Sequence, residues 1–172
     1  TTSPALYVDA NQTYDSEIII SGSETKVTGN IIKTNNEEGN GTATIVVTGG
    51  TYDVADAEQI EQILSYIPED GTATLLLTES LNLTEDQTLD LNKNVTITAA
   101  EGKNIQLLAG SEIKINADVT FTGFNTTTAI VGYPNADNTE FGTVTVAEGK
   151  TLNISDNHSN GMNGGQLTVN GG

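Results

Sequence analysis

Short clusters of β-branched and leucine residues recur along the second half of the chain. Residues 74–77, 95–98, 119–122 and 143–146 form four such clusters, beginning 21, 24 and 24 residues apart. Shorter runs of the same kind lie between them, at 81–83, 88–91, 105–107, 112–115, 151–154 and 166–169. A period of about 20–25 residues holding two or three short strands is that of a solenoid, whose coils each cover the next. Within the clusters the apolar residues alternate: Val95 and Ile97, Val119 and Phe121, Val144 and Val146. Strand side chains point alternately to opposite faces, so these six share an interior, and Thr96, Thr98, Thr120, Thr122, Thr143 and Thr145 face solvent. One coil cannot bury its inner face alone, so successive coils must stack.

The fold class expected is all-β, mostly a parallel β-solenoid, with one short α-helix as a cap. Residues 55–70 carry that helix and its closing turn. Ile60, Ile63, Leu64 and Ile67 recur at the spacing of one helical face. Asp56 stands at the N-cap position, and Pro68 followed by Glu69-Asp70-Gly71 stops the helix. Its apolar stripe is expected to pack over the end of a β core. Residues 71–172 form the solenoid coils, and 1–54 an N-terminal β region. That region is open to two arrangements: a separate small sandwich-like lobe, or irregular first coils, the latter favoured by residues 42–48 followed by Gly49-Gly50-Thr51.

The passage Leu81-Asn82-Leu83-Thr84-Glu85-Asp86-Gln87-Thr88-Leu89-Asp90-Leu91, followed by Val95-Thr96-Ile97-Thr98 and preceded by the amphipathic helix, resembles the pectate-lyase-like parallel β-helix of bacterial cell-surface adhesins. Residues 142–154 resemble a later coil of the same kind. The resemblance covers about the last two-thirds of the chain and rests on structural motifs. It implies an extracellular, cell-surface protein. It also implies that lyases of this fold use an arginine or lysine base beside carboxylate-bound calcium, and that its hydrolases use paired aspartates. This chain has no arginine, a single histidine and no Asp-Asp pair. A non-enzymatic role is therefore expected, with a polysaccharide lyase or hydrolase as the remote alternative.

Charge narrows the partners. Six lysines stand against 23 acidic residues, giving a net charge of −17. Such a surface repels nucleic-acid phosphates and anionic lipid heads, and no apolar run approaches the ~20 residues that cross a bilayer. There is no cysteine, hence no disulfide framework or thiolate metal site. The balance of plentiful Thr and Asn with scarce basic residues is common in secreted surface proteins. The opening Thr1-Thr2-Ser3-Pro4 reads as a mature chain after leader removal or as an excised fragment.

Few residues suggest chemistry. His158 lies in a polar, Gly-rich stretch beside Asp156 and Ser159, which reads as an exposed turn. Calcium is the one cofactor left open, through oxygen ligands at Asp137 and Glu140 (with Asn135) or at Asp156 and Asn160 (with Gly161). The second set has His158 where a familiar calcium loop has Asp or Asn, and no acid at the closing position. Outward threonines could form an ice-binding array, but Leu75-Leu76-Leu77 breaks it, and threonine is in any case a good strand residue. Tyr7, Tyr14, Tyr52 and Tyr133 are the aromatic candidates for holding a host glycan or protein, the partner class of a discrete adhesin module.

The leading functional expectation is self-association into a surface fibre or filament. The strand at 166–169 has no recognisable cap, and an uncapped edge offers backbone groups to another chain. Leu167 and Val169 at that edge, and Ile18 and Ile20 near the other end, are the expected assembly residues.

Overall fold

The computed structural model describes residues 5–10, 14–35, 41–157 and 160–170. It is a parallel β-solenoid of about six turns with one short helix. The first coil is β1 (Leu6–Ala10), β2 (Ser16–Ile20) and β3 (Lys26–Val27); the second is β4 (Ile31–Asn35), β5 (Ala43–Val47) and β6 (Thr51–Val54). Helix α1 (Ala57–Tyr66) follows, and then β7 (Ala73–Leu77). The next coils are β8 (Leu81–Leu83), β9 (Thr88–Leu91) and β10 (Val95–Ala99), then β11 (Ile105–Leu107), β12 (Glu112–Ile115) and β13 (Val119–Thr122). The last are β14 (Ile130–Gly132), β15 (Thr143–Val146) and β16 (Leu152–Ser155), then β17 (Met162–Asn163) and β18 (Gln166–Val169).

One six-stranded sheet, β16-β13-β10-β7-β6-β3, runs the length of the stack. The other two faces are each divided: β1-β4 and β2-β5 before the helix, and β17-β14-β11-β8 and β18-β15-β12-β9 after it. Strands β1 to β6 are therefore coils of this solenoid. All their strand pairs are parallel, which a sandwich lobe would not give, and β6 pairs directly with β7.

The alternating pattern is realised in the core. Val95, Ile97, Val119, Phe121, Val144 and Val146 are all buried, and the intervening threonines are partly exposed. One stacking relation differs from a uniform repeat. Val119 pairs with Leu152 and Phe121 with Ile154, so the strand that follows β13 in the long sheet is β16. Residues 143–146 stack instead on β12, on another face. The cause is an excursion at 133–142 between β14 and β15, which lengthens that coil.

Helix α1 has the termini its sequence specifies. The Asp56 carboxylate accepts the Gln59 backbone N–H at 2.8 Å, and the Gln59 side chain accepts the Ala55 N–H at 2.9 Å. One unpaired donor of the first turn and the donor just before the cap are thereby satisfied, a variant of the capping box. Its location differs from an end cap. Because β6 and β7 are neighbours, the helix takes up the pass that would otherwise place strands on the other two faces. It packs against β5, β6 and β9, in the middle of the stack. Ile60, Ile63 and Leu64 are buried, so the apolar stripe continues the solenoid interior where strands are missing. Gln62 donates to the Ile31 carbonyl at 3.0 Å and ties the helix to the edge of β4.

Side chains also link coils along the corners. Asn94 accepts the Asp118 N–H at 3.0 Å, and Asp118 accepts the Thr151 N–H at 2.9 Å. At this corner two successive coils thus each satisfy a backbone donor of the next, which ties one coil to another.

Candidate interaction surfaces

The last coil is open. Leu167 sits over Val144 and Val169 over Val146 in the β15–β18 ladder. The lower pair is 0% and 3% exposed, while the upper pair is 52% and 60% exposed. Leu152, Ile154 and Met162 complete this end and are only half-buried. Inward-facing residues of a coil are buried by the coil above, and no described residue covers these. β16, β17 and β18 also have a strand partner on one side only.

The opposite end is better closed. Val8, Ala10, Ile20 and Val27 of the first coil are all buried. Of the expected assembly residues there, Ile20 is a core residue paired with Val47, and Ile18 is half-buried opposite Ile45. Leu167 and Val169 are the two whose side chains are open to a partner. Sequence patterning missed Leu152, Ile154 and Met162, because alternation assigns them to an interior and says nothing of whether a coil lies above.

The 133–142 excursion forms a second distinctive surface. In the other coils that follow the helix, the turns at the same corner run over 84–87, 108–111 and 164–165, so this is the longest of those four. It folds as a small hairpin closed by an antiparallel bridge between Pro134 and Phe141. The Asn135 side-chain oxygen accepts the Thr139 N–H at 2.9 Å and the Glu140 N–H at 3.2 Å, which fixes the tip. Two glycines pin its base: a Cβ on Gly132 would collide with the Gly165 backbone, and one on Gly142 with Leu107. Beneath it lies a groove of about 390 Å³ lined by Ser111, Glu112, Glu140, Phe141, Thr143 and Gln166 among others. Phe141 is 36% exposed and Tyr133, on the same hairpin, 40%. The sequence signal for this site was the extra length between strands, not a residue motif.

A larger groove, about 560 Å³, separates the start of β4 from α1. The Gln59 and Gln62 amides bridge its walls to Asn30 and Ile31, which makes it a packing joint.

The calcium candidates are not brought together. Among the described residues no group of three or more His, Asp or Glu side chains is placed to hold a metal ion. Asp137 and Glu140 lie on the exposed hairpin, where the Asn135 oxygen is already used to close the turn. Asp156 accepts from the Thr122 hydroxyl at 3.3 Å, and Asn160 is exposed. His158 and Ser159 lie outside the described residues.

The tyrosines divide. Tyr7 and Tyr133 are exposed, as is Tyr14, whereas Tyr52 is 1% exposed and belongs to the core. Its hydroxyl donates to the Gly49 carbonyl at 2.8 Å, and burial pushes its pKa up to about 12. A glycan platform at Tyr52 is thereby excluded. On the outer surface of the long sheet, Thr51, Thr74, Thr96 and Thr120 stand in register. The neighbouring file is broken by Asp53 and Leu76, so the threonines form one row and not a flat two-row array.

No family model, curated protein or solved structure matches the chain. No helix among the described residues is long and apolar enough to cross a membrane.

Proposed function

We propose that this protein is a non-catalytic structural module of a cell-surface fibre, of the kind its resemblance to adhesin solenoids implies, and that its open last coil stacks on the first coil of a second copy. The observation that carries this reading is the exposure of Leu167 and Val169, 52% and 60%, on a ladder whose previous rung is buried. Removing apolar surface from water favours covering these residues at about 25 cal/mol per Å². Unpaired strand edges add direction to that contact. In the winding order, a second copy arriving in the same sense sets its β2 on β18 and its β1 on β17. The absence of arginine and the scarcity of histidine favour structure over catalysis, and the charge of −17 opposes sideways clumping until salt screens it.

Sedimentation velocity over a range of concentration and salt tests the reading. Wild type is expected to form end-to-end oligomers. Leu167→Asp with Val169→Asp should stay monomeric with an unchanged far-UV spectrum. Because the chain has no cysteine, an Ile18→Cys, Leu167→Cys pair reports the contact without background, as oxidation-dependent covalent oligomers. A wild-type chain that remains monomeric at high concentration and high salt overturns the proposal.

A further inference from the structure

The groove beneath the 133–142 hairpin has the composition of a small binding site, and its chemistry selects a ligand class. Loops that depart from the length of their equivalents on a rigid scaffold are where binding residues concentrate. This hairpin is the longest turn at its corner in the coils that follow the helix, and it is braced: a backbone bridge closes it, Asn135 ties its tip, and two glycines seat its base between coils. Its length is not needed to bury the core, because the corner turns 84–87 and 108–111 pass between the same two faces without it.

The lining fixes what can bind. Carboxylates at neutral pH accept hydrogen bonds and cannot donate. Glu112 is held in place by the Thr145 hydroxyl at 2.6 Å and by Lys114 at 3.5 Å. Across the groove, the Glu140 carboxylate approaches the Gly110 turn and has no hydrogen-bond partner among the described residues. Gln166 adds an amide, Thr143 a hydroxyl, and Phe141 an aromatic face with no polar atom. A complementary ligand is rich in hydroxyl donors, has an apolar C–H face for the ring, and carries no negative charge, given a protein at −17. We infer that the groove binds a neutral saccharide, with Phe141 against the sugar face and Glu112, Glu140 and Gln166 accepting or donating to its hydroxyls. The inference does not depend on end-to-end assembly, since every lining residue belongs to one chain.

The test is a ¹H–¹⁵N correlation titration of the dilute wild-type protein. The probes are neutral oligosaccharides of glucose, galactose, mannose and N-acetylglucosamine at millimolar concentrations, with calcium chloride and free lysine as separate arms. The expected result is saturable shifts of the amides of residues 110–112 and 139–143 with at least one saccharide. Phe141→Ala should weaken that response about tenfold, and Glu140→Ala less. The Phe141 bridge is made by backbone, so the unliganded spectrum verifies that the variant is folded. No response from any of the four sugars overturns the inference. So does an equal response to calcium or lysine, which would make the groove a cation site, and so does a saccharide response that Phe141→Ala leaves intact.

Discussion

In the first coil, Val8, Ala10, Ile20 and Val27 point inward and are 5%, 0%, 6% and 8% exposed; in the last, Leu167 and Val169 point inward and are 52% and 60% exposed. Both coils obey the same alternation and pair with a single neighbouring coil. They differ in what lies over them: the second coil covers the inward residues of the first, while no described coil lies over Leu152, Ile154, Met162, Leu167 and Val169. Inward direction is a property of a strand, whereas burial requires a neighbour above. The interior of a solenoid is closed one coil at a time, and no described coil lies above the last one.

The largest test of this contrast places the same charge at the centre of the stack and at its open end. Phe121 is fully buried and packs against Phe124, with ring centroids 6.4 Å apart. Phe121→Asp should abolish cooperative unfolding, because a buried unpaired carboxylate costs more than a domain of this size can spare. Leu167→Asp should leave the melting transition in place and remove assembly. Loss of the fold in both would show that the last coil is as covered as the middle ones.

Truncation sharpens the comparison. Ile20→Ala, at the covered end, should cost about 2–4 kcal/mol in urea denaturation, the range for buried large-to-small changes. Val169→Ala should cost less than about 1 kcal/mol in the monomer, since most of its side chain is already in water. Equal costs would contradict the exposures on which the contrast rests.

A pH effect comes next in size. Tyr52, in β6, is neutral in the fold, and its pKa rises from 10.0 to about 12 because burial disfavours the phenolate. In the unfolded chain it ionises first, so the associated stability is complete below pH 10 and is lost as pH rises from 10.0 toward 12. Alkaline denaturation midpoints should fall through this window in wild type and fall less in Tyr52→Phe. A Tyr52→Phe profile parallel to wild type would show that this phenol is not what sets the slope. The smallest effect is expected on the outer face: Thr120→Asp, next to Phe121 but facing solvent, should change stability by about 0.5 kcal/mol or less by thermal melting. Damage comparable to Phe121→Asp would mean that the alternation is misplaced.

Much of this molecule is written in local sequence. Val95-Thr96-Ile97-Thr98 and Val119-Thr120-Phe121-Thr122 announce strands with one buried face, because side-chain direction alternates with a period of two wherever the backbone is extended. Helix α1 is equally explicit, since an N-cap, an apolar stripe and a terminating proline act within a few residues. What could not be read locally is order in space. Residues 143–146 have the same alternation as 119–122 but stack on a different face, because the 133–142 hairpin lengthens one coil and pattern alone does not record how much of an interval is loop. The position of α1 in the middle of the stack follows from the direct pairing of β6 with β7, a contact between strands separated by the whole helix. The groove residues Glu112, Phe141 and Gln166 meet only because three successive coils align at one corner. Alternation and capping are fixed by neighbours along the chain, so sequence determines them. Stacking order, the place of the helix and the exposure of Leu167 depend on which coils lie one above another, and only the tertiary structure decides that.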